Sequence, residues 1–188
     1  MDLLLASASP RRAELLTAAG FAFRARATDV DERVRPGELP LAYVQRLASE
    51  KSAAAHDPNA PDRVTLGADT AVVVDGVILG KPIDDRDAEA MLRRLSGRTH
   101  DVLTGISLRC GVREVVRVER TAVEFAALSN QDVSWYVQSG EGRDKAGGYA
   151  IQGLASRFIP RISGSYSNVV GLPIAAVSEL IGELAGSR

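Results

Sequence analysis

Two adjacent arginines, Arg11 and Arg12, stand where a short apolar strand gives way to a helix in the segment LLLASASPRRAELLTAAG. Ser9 is the expected N-cap and Pro10 the expected first helical residue, so both arginines fall in the first turn. The free N–H groups and the helix dipole already make that end positive, and each cation there costs roughly 0.3–1 kcal/mol. A phosphate ligand would remove the misfit, because helix starts bind phosphate and arginine adds bidentate donors. The alternative is that both side chains bend away into solvent or onto an acidic neighbour such as Glu14.

A carboxylate stands in the middle of a strand that reads as buried on both faces. Asp69 lies in the run RVTLGADTAVVVD, directly after Gly67 and Ala68, which leave room for a ligand to approach the backbone. Burying an isolated carboxylate is costly, so Asp69 is expected to meet a cation, a metal or a set of hydrogen-bond donors. The alternative is a structural pair with a nearby arginine that holds two strands together.

The lysines are few enough to be informative, because the 23 basic residues divide into 20 arginines and three lysines, Lys51, Lys81 and Lys145. An ammonium is a compact point charge and a guanidinium a planar fork, so a lysine retained against this bias is a candidate for a specific role. Lys51 lies on a predicted helix, where a solvated face is the alternative. Lys81 follows a predicted hairpin that should bring it within reach of Asp69. Lys145 lies in a glycine-rich loop, whose backbone can approach a ligand or simply turn.

The combination of basic groups with the carboxylates Asp29, Asp31, Glu32 and Asp69 suits a phosphorylated substrate and a divalent cation. Magnesium is usually held by one or two carboxylates together with substrate phosphates and water. A carboxylate beside it can orient or deprotonate a water that attacks phosphorus, while Arg and Lys stabilise charge on the phosphoryl oxygens.

The elements that must position these residues alternate between strands and helices. Apolar periodicity and turn residues predict strands at Leu3–Leu5, 21–28, 64–74, 101–110, 114–127 and 157–162, with a hairpin at Asp75-Gly76. Helices are predicted from Ser9 to Gly20, over 41–56, from an Asp cap to Gly97, from Ser129 to Gly140, and from Pro173. This mixture predicts one α/β domain over residues 1–188, with a long mixed, twisted sheet flanked by helices.

Composition excludes several classes of protein. A chain of 188 residues with a net charge of −1 has no general affinity for polyanions, which disfavours a nucleic-acid partner. No run of 18 apolar residues and no basic-then-apolar start is present, so neither a membrane span nor a signal peptide is indicated, and a cytoplasmic location is expected. With one cysteine, Cys110, and two histidines, a Cys/His zinc site is disfavoured, so a metal would be held by oxygen.

Common phosphate-handling signatures are absent from the sequence. There is no GxxxxGK[ST] of a P-loop and no GxGxxG after a strand. His100-Asp101 is shared with metal-dependent phosphohydrolases, but two histidines cannot supply their metal cluster, and SGSYSN has no histidine base in a triad pattern.

Seven ordered blocks carry a family resemblance: LASASPRRAELL, DVDE, ASEKSAA, LGADTAVVVDGVILGKP, HDVLTGISL, YVQSGEGRDKAGGYAIQG and ISGSYSNVVGLP. They span essentially the whole chain, include all three lysines, and resemble the motifs of the Maf family of nucleotide pyrophosphatases. The resemblance implies an ITPase-like fold, a homodimer, and hydrolysis of a nucleoside triphosphate between the α- and β-phosphates with Mg²⁺ or Mn²⁺.

The resemblance also implies roles for individual residues. Asp69 would be the catalytic base, and Glu32 and Asp69 would face the metal. The residues implied in substrate or phosphate binding are Ser7, Arg11, Arg12, Lys51 and Lys81. Within the arginine pair, Arg12 is assigned to phosphate charge and Arg11 to substrate choice.

Base preference resembles that of the dTTP/UTP branch rather than the branch acting on 7-methyl-GTP, on the markers Arg11, Thr70 and Gln152. A glutamine amide offers a donor and an acceptor together, which matches N3–H and an adjacent carbonyl of uracil or thymine, although a flipped amide also serves cytosine. The alternative function is a nucleotide-binding regulator of division or septum formation with little turnover.

Overall fold

The computed structural model describes residues 2–186. The strands are β1 (Leu3–Ala6), β2 (Phe23–Ala25), β3 (Val64–Val74), β4 (Val77–Leu79), β5 (Thr99–Cys110), β6 (Arg113–Glu124) and β7 (Arg161–Ser163). The helices are α1 (Pro10–Ala18), α2 (Pro40–Ala55), α3 (Asp85–Leu95), α4 (Asn130–Ser139), α5 (Tyr166–Val170) and α6 (Ile174–Gly186), with short 3₁₀ helices at Ala146–Gly148 and Leu154–Phe158. Within this described range, no helix is long and apolar enough to cross a membrane.

The strands form a mixed seven-stranded sheet in the order β2-β1-β3-β5-β6-β7, with β4 paired to β3. β1 pairs in parallel with β2 and β3, whereas β4 and β7 pair antiparallel with β3 and β6. This confirms the prediction of an α/β fold with a mixed sheet flanked by helices. The chain divides into two compact units, the first containing residues 1–70, 104–119 and 171–188 and the second residues 71–103 and 120–170.

In the first unit, helix α2 packs directly on the backbone of two strands through glycines. A Cβ atom added to Gly67 of β3 would lie 2.2 Å from the Ala48 carbonyl oxygen, and one added to Gly105 of β5 would lie 2.1 Å from the Val44 carbonyl oxygen. A side chain does not fit at either point. This close approach sets the distance between α2, which carries Lys51, and β3, which carries Asp69.

An apolar cluster completes the first unit. Its fully buried members come from strands β1, β3 and β5 and from helices α1 and α6, and include Leu3, Leu5, Leu16, Leu66, Ile106, Leu108 and Val177. Leu16 of α1 is buried in this cluster, so the face of the helix that carries Leu16 packs against the core.

The second unit has a core rich in aromatic rings. Phe125 and Tyr149 meet edge to face with centroids 5.0 Å apart, and His100 lies 5.4 Å from each of them. A second group joins Tyr136 to Phe158, again edge to face, at 5.9 Å. These contacts fix the glycine-rich segment that contains Tyr149.

Local signals place most element boundaries correctly. Pro10 begins α1, the Ser129–Asp132 capping box begins α4, and Gly20 and Gly140 adopt the left-handed conformation after α1 and α4. Ser9 is the N-cap of α1, but its side chain caps no backbone group.

The strand predicted at 157–162 is wrong over its first residues. The chain there forms the 3₁₀ helix Leu154–Phe158, and the strand is Arg161–Ser163. The reason is tertiary, because the Glu141 carboxylate accepts the Leu154 N–H at 2.9 Å and the Ala155 N–H at 3.4 Å and so holds the start of a 3₁₀ helix that continues into residues 157 and 158. The second strand is also shorter than predicted, and helix α5 was not predicted at all.

Candidate active site

The buried guanidinium of Arg12 connects the start of α1 to two other segments of the first unit. Its Nη1 donates to the Ala68 carbonyl at 2.8 Å and to Ser7 Oγ at 3.2 Å. Its Nε donates to the Gly171 carbonyl at 2.8 Å, and its Nη2 donates to Thr70 Oγ1 at 3.2 Å. The Arg12 guanidinium is therefore bound by carbonyl and hydroxyl oxygens of the protein. It is not turned into solvent or onto Glu14, which was the alternative.

Within residues 2–186, these contacts leave one N–H group of Arg12 without a protein acceptor. A guanidinium has five N–H groups, and four of those of Arg12 donate within the protein. Burial lowers the pKa of Arg12 and nearby Asp69 opposes that shift. The group stays charged at neutral pH, because the ordinary pKa of arginine is far above it. Arg11, beside it, is half-buried.

Lys51 and Asp69 form a buried ion pair, each with 7% of its surface exposed. Lys51 Nζ lies 2.6 Å from Asp69 Oδ1 and 2.6 Å from Glu32 Oε1. Of the cation, metal or donors expected for Asp69, the structure provides a cation, Lys51, and the alternative of a solvated helix face for Lys51 is excluded. Two carboxylates share one ammonium, which leaves a formal charge of −1 on the three groups.

Thr70, the residue after Asp69, is engaged with the same segments as Arg12. Its Oγ1 lies 2.9 Å from Thr104 Oγ1 and donates to the Gly171 carbonyl at 3.3 Å. Gly171 itself has a φ of +130° and lies close to both Thr70 and Arg12. The hydroxyl is therefore held in place by protein groups.

The loop that carries Glu32 is held by two side chains of α2 that sequence reasoning missed. Tyr43 donates its O–H to the Glu32 carbonyl at 3.0 Å. Arg46 donates to the carbonyls on either side, that of Asp31 at 3.5 Å and that of Arg33 at 3.2 Å. Three successive carbonyls are thus bound by one helix, which fixes the backbone from which the Glu32 side chain projects.

A signal for this arrangement exists in the sequence. Tyr43 and Lys51 are eight residues apart on α2, so they lie on one face of the helix.

Burial, with the nearby carboxylates of Asp69 and Glu32, raises the pKa of Tyr43 to about 12. The hydroxyl therefore remains a hydrogen-bond donor throughout the physiological pH range.

The carboxylates Glu32 and Asp69 are the groups that fit a divalent cation. Within residues 2–186, no three His, Cys, Asp or Glu side chains are grouped as a complete metal site. Two carboxylates brought to one ammonium are nevertheless oxygen donors of the kind that hold magnesium together with substrate phosphates and water. The donor chemistry therefore fits Mg²⁺ or Mn²⁺.

Lys81 and Gln152 belong to the second unit, and both are exposed. Lys81 follows the β3–β4 hairpin, as predicted, with Gly80 between it and the end of β4. Gln152 lies in a turn closed by a hydrogen bond from the Gly153 N–H to the Ala150 carbonyl at 3.1 Å. Lys145 is paired with its neighbour Asp144. The predicted approach of Lys81 to Asp69 stays a prediction.

Comparisons with known proteins bear on this site. A family model described as Maf-like protein matches residues 2–184. A dTTP/UTP pyrophosphatase of Symbiobacterium thermophilum is 50% identical over 180 residues, which cover 96% of this chain and 92% of that protein. The dTTP/UTP pyrophosphatase of Shewanella oneidensis is 49% identical, covering 97% of this chain and 98% of that protein.

Similarity to solved structures is weaker. The Staphylococcus aureus Ham1 protein matches with a TM-score of 0.48 and 18% identity, covering 67% of this chain and 72% of that one. The family model and the curated relatives, by contrast, each cover nearly the full length of the chain. The protein whose Lys51, Glu32 and Asp69 meet in this way therefore belongs to the Maf family.

Proposed function

We propose that this protein is a nucleoside triphosphate pyrophosphatase that hydrolyses dTTP and UTP to the nucleoside monophosphate and pyrophosphate. The observation that carries the proposal is the buried Lys51–Asp69 ion pair, to which the more exposed Glu32 carboxylate is joined through the same ammonium. Its support comes from relatives about half identical to this chain, whose names give this activity. The whole chain, residues 1–188, is proposed to form the catalytic domain.

Asp69 is the proposed general base. A carboxylate held on one oxygen by Lys51 has its second oxygen available to accept a proton from water. The water oxygen forms a bond to the α-phosphorus, the bond from that phosphorus to the α–β bridging oxygen breaks, and the water proton passes to Asp69. Pyrophosphate leaves, and the overall consumption is one water and one triphosphate.

Positive groups supply the charge that the phosphoryl oxygens need. Lys51 is proposed to bind phosphate beside Asp69, and because its charge is shared with Glu32 and Asp69, the divalent cation would offset the negative charge of that group. Arg12 contributes its one remaining N–H, and Lys81 is proposed to bind phosphate as well. Ser7 helps by holding Arg12.

Glu32 and Asp69 are proposed to hold the divalent cation, Mg²⁺ or Mn²⁺. Such a cation, when bound, neutralises charge on the phosphates and lowers the pKa of a bound water. The loop contacts made by Tyr43 and Arg46 keep Glu32 in position for it.

Selection of the substrate's nucleobase is assigned to Arg11, Thr70 and Gln152. The Gln152 amide pairs with N3–H and a carbonyl of uracil or thymine, and the fixed Thr70 hydroxyl restricts the space beside Asp69.

The test is pyrophosphate release from dTTP with Mn²⁺, measured beside a panel of other triphosphates. Wild type should release pyrophosphate, and Asp69→Asn should bind dTTP in titration calorimetry without turning it over. Release of orthophosphate instead would refute cleavage between the α- and β-phosphates. No release from any triphosphate, with binding retained, would favour a nucleotide-binding regulator of division.

Two further properties are proposed on the family resemblance, a homodimer and a cytoplasmic location. Light scattering coupled to size-exclusion chromatography tests the first, and a mass of one chain would contradict it.

A further inference from the structure

The turn that carries Gln152 is held at both ends by a pair of side chains that the proposed mechanism does not use. Gln152 itself is exposed, and its turn, Ala150–Gly153, closes through one backbone hydrogen bond of 3.1 Å. A four-residue turn with one such bond has little rigidity of its own. Its position therefore depends on what binds the flanking backbone groups.

Tyr136 binds the first residue of the turn. Its side chain comes from α4, is 1% exposed, and its hydroxyl oxygen accepts the Ala150 N–H at 3.1 Å. The same hydroxyl donates to Glu141 Oε2 at 2.8 Å. Burial, followed by this bond to Glu141, raises the pKa of Tyr136, so the hydroxyl stays protonated and continues to donate.

Glu141 binds the chain directly after the turn. Its Oε1 accepts the Leu154 N–H at 2.9 Å, and its Oε2 accepts the Ala155 N–H at 3.4 Å. A Cβ added to Gly153 would lie 1.9 Å from Glu141 Oε1, so the carboxylate rests on the turn backbone itself. One charged group thus receives donors from Tyr136 and from both residues that follow Gly153.

We propose that Tyr136 and Glu141 are positioning residues that set the selectivity of the enzyme for pyrimidine over purine triphosphates. The inference rests on the proposed function, in which Gln152 reads the base. Pyrimidines and purines present their hydrogen-bonding edges at different distances from the sugar. A Gln152 backbone fixed at both ends serves one distance only, whereas a loosened turn lets the amide follow the larger base.

A third contact supports the same segment. Tyr149, the residue before the turn, shares a hydrogen bond of 2.8 Å with His100 Nε2, and its ring meets Phe125 edge to face. The chain entering the turn is therefore as firmly held as the chain leaving it.

The experiment compares kcat/KM for dTTP and dGTP by pyrophosphate release in five variants, each checked by circular dichroism. Tyr136→Phe keeps the ring and removes the hydroxyl, and Glu141→Gln keeps the shape and removes one acceptor. Gln152→Ala defines the loss of selectivity when the nucleobase is no longer read. The double variant Gln152→Ala/Tyr136→Phe tests whether the two changes act on the same discrimination. Glu89→Gln is the charge control, because Glu89 lies on α3 and pairs only weakly with Arg93 at 3.7 Å.

We expect the ratio of kcat/KM for dTTP to that for dGTP to fall about five-fold in Tyr136→Phe and in Glu141→Gln, the effect of losing about one hydrogen bond. The Glu89→Gln ratio should match wild type. The double variant should fall no further than Gln152→Ala, because both changes remove the same discrimination.

Different negative results contradict this inference, the base-reading role of Gln152 and the proposed function. If Gln152→Ala lowers the ratio while Tyr136→Phe and Glu141→Gln keep it, or lose activity equally on both substrates, this inference is overturned and the proposed function stands. An unchanged ratio in Gln152→Ala overturns the base-reading role and this inference together. Absence of pyrophosphate release from wild type overturns the proposed function itself.

Discussion

Replacing Gly67 with alanine should separate Lys51 from Asp69 without altering either residue. The added Cβ would lie 2.2 Å from the Ala48 carbonyl oxygen and 2.6 Å from the Ser52 nitrogen, both backbone atoms of α2. Neither can rotate away as a side chain would. Helix α2 must therefore move from β3 by about 1.2 Å to restore ordinary contact at 3.4 Å.

That displacement is large beside the bond it affects. Lys51 Nζ lies 2.6 Å from Asp69 Oδ1, and an added 1.2 Å would take the pair to about 3.8 Å, beyond hydrogen-bond distance. A misplacement of about 1 Å can cost about 100-fold in rate. Overpacking of this kind also lowers the free energy of unfolding by about 1–3 kcal/mol.

The assay is kcat for pyrophosphate release from dTTP, measured where circular dichroism shows the variant folded, with urea unfolding alongside. Gly182→Ala is the matched control, because a Cβ there meets nothing within 4 Å and helix α6 should gain about 1 kcal/mol from the alanine. A Gly67→Ala variant with kcat within two-fold of wild type would refute the view that this close approach positions Lys51.

Three further predictions follow from contacts of the two units. Arg12→Ala should lower the free energy of unfolding in urea by about 4 kcal/mol and reduce kcat/KM for all triphosphates alike, because it leaves buried carbonyls without a donor, whereas Arg11→Ala should change their ranking. Identical effects would contradict that division. Arg46→Gln should lower kcat for dTTP about ten-fold through a looser Glu32 loop, with the order of substrates kept, and an unchanged kcat would show that the loop needs no such support. Burial lowers the pKa of His100 from 6.5 to about 4, so folding disfavours its charged form and stability is lost as pH falls through that range. Wild type should lose up to about 3 kcal/mol more than His100→Gln between pH 7 and 4 in urea unfolding, and equal losses would contradict this.

Much of the fold follows from short-range chemistry in the sequence. Pro10 starts α1 because its ring fixes a helical φ, and Asp75-Gly76 closes the hairpin because both residues adopt positive φ, 52° and 73°. The capping box at Ser129 begins α4 for an equally local reason. Where the signal lay in neighbouring residues, the predicted elements are confirmed.

The candidate site shows the same difference between what local sequence predicts and what distant contacts decide. The sequence by itself identified Asp69 as a buried carboxylate in need of a partner and Lys51 as an unusual lysine. It also identified Arg12 as a cation at the wrong end of a helix. The identity of each partner required contacts between distant segments, 18 residues apart for Lys51 and Asp69 and 159 for Arg12 and Gly171.

Only the tertiary structure decided the supporting contacts. Tyr43 and Arg46 hold carbonyls 11 to 15 residues away, and Glu141 accepts the first N–H groups of the 3₁₀ helix Leu154–Phe158, which extends into the start of the predicted strand. Apolar periodicity reports which face of an element is buried, but not which side chain will meet a given backbone group. That depends on how closely elements approach, which the glycines at 67 and 105 set by leaving no side chain between strand and helix.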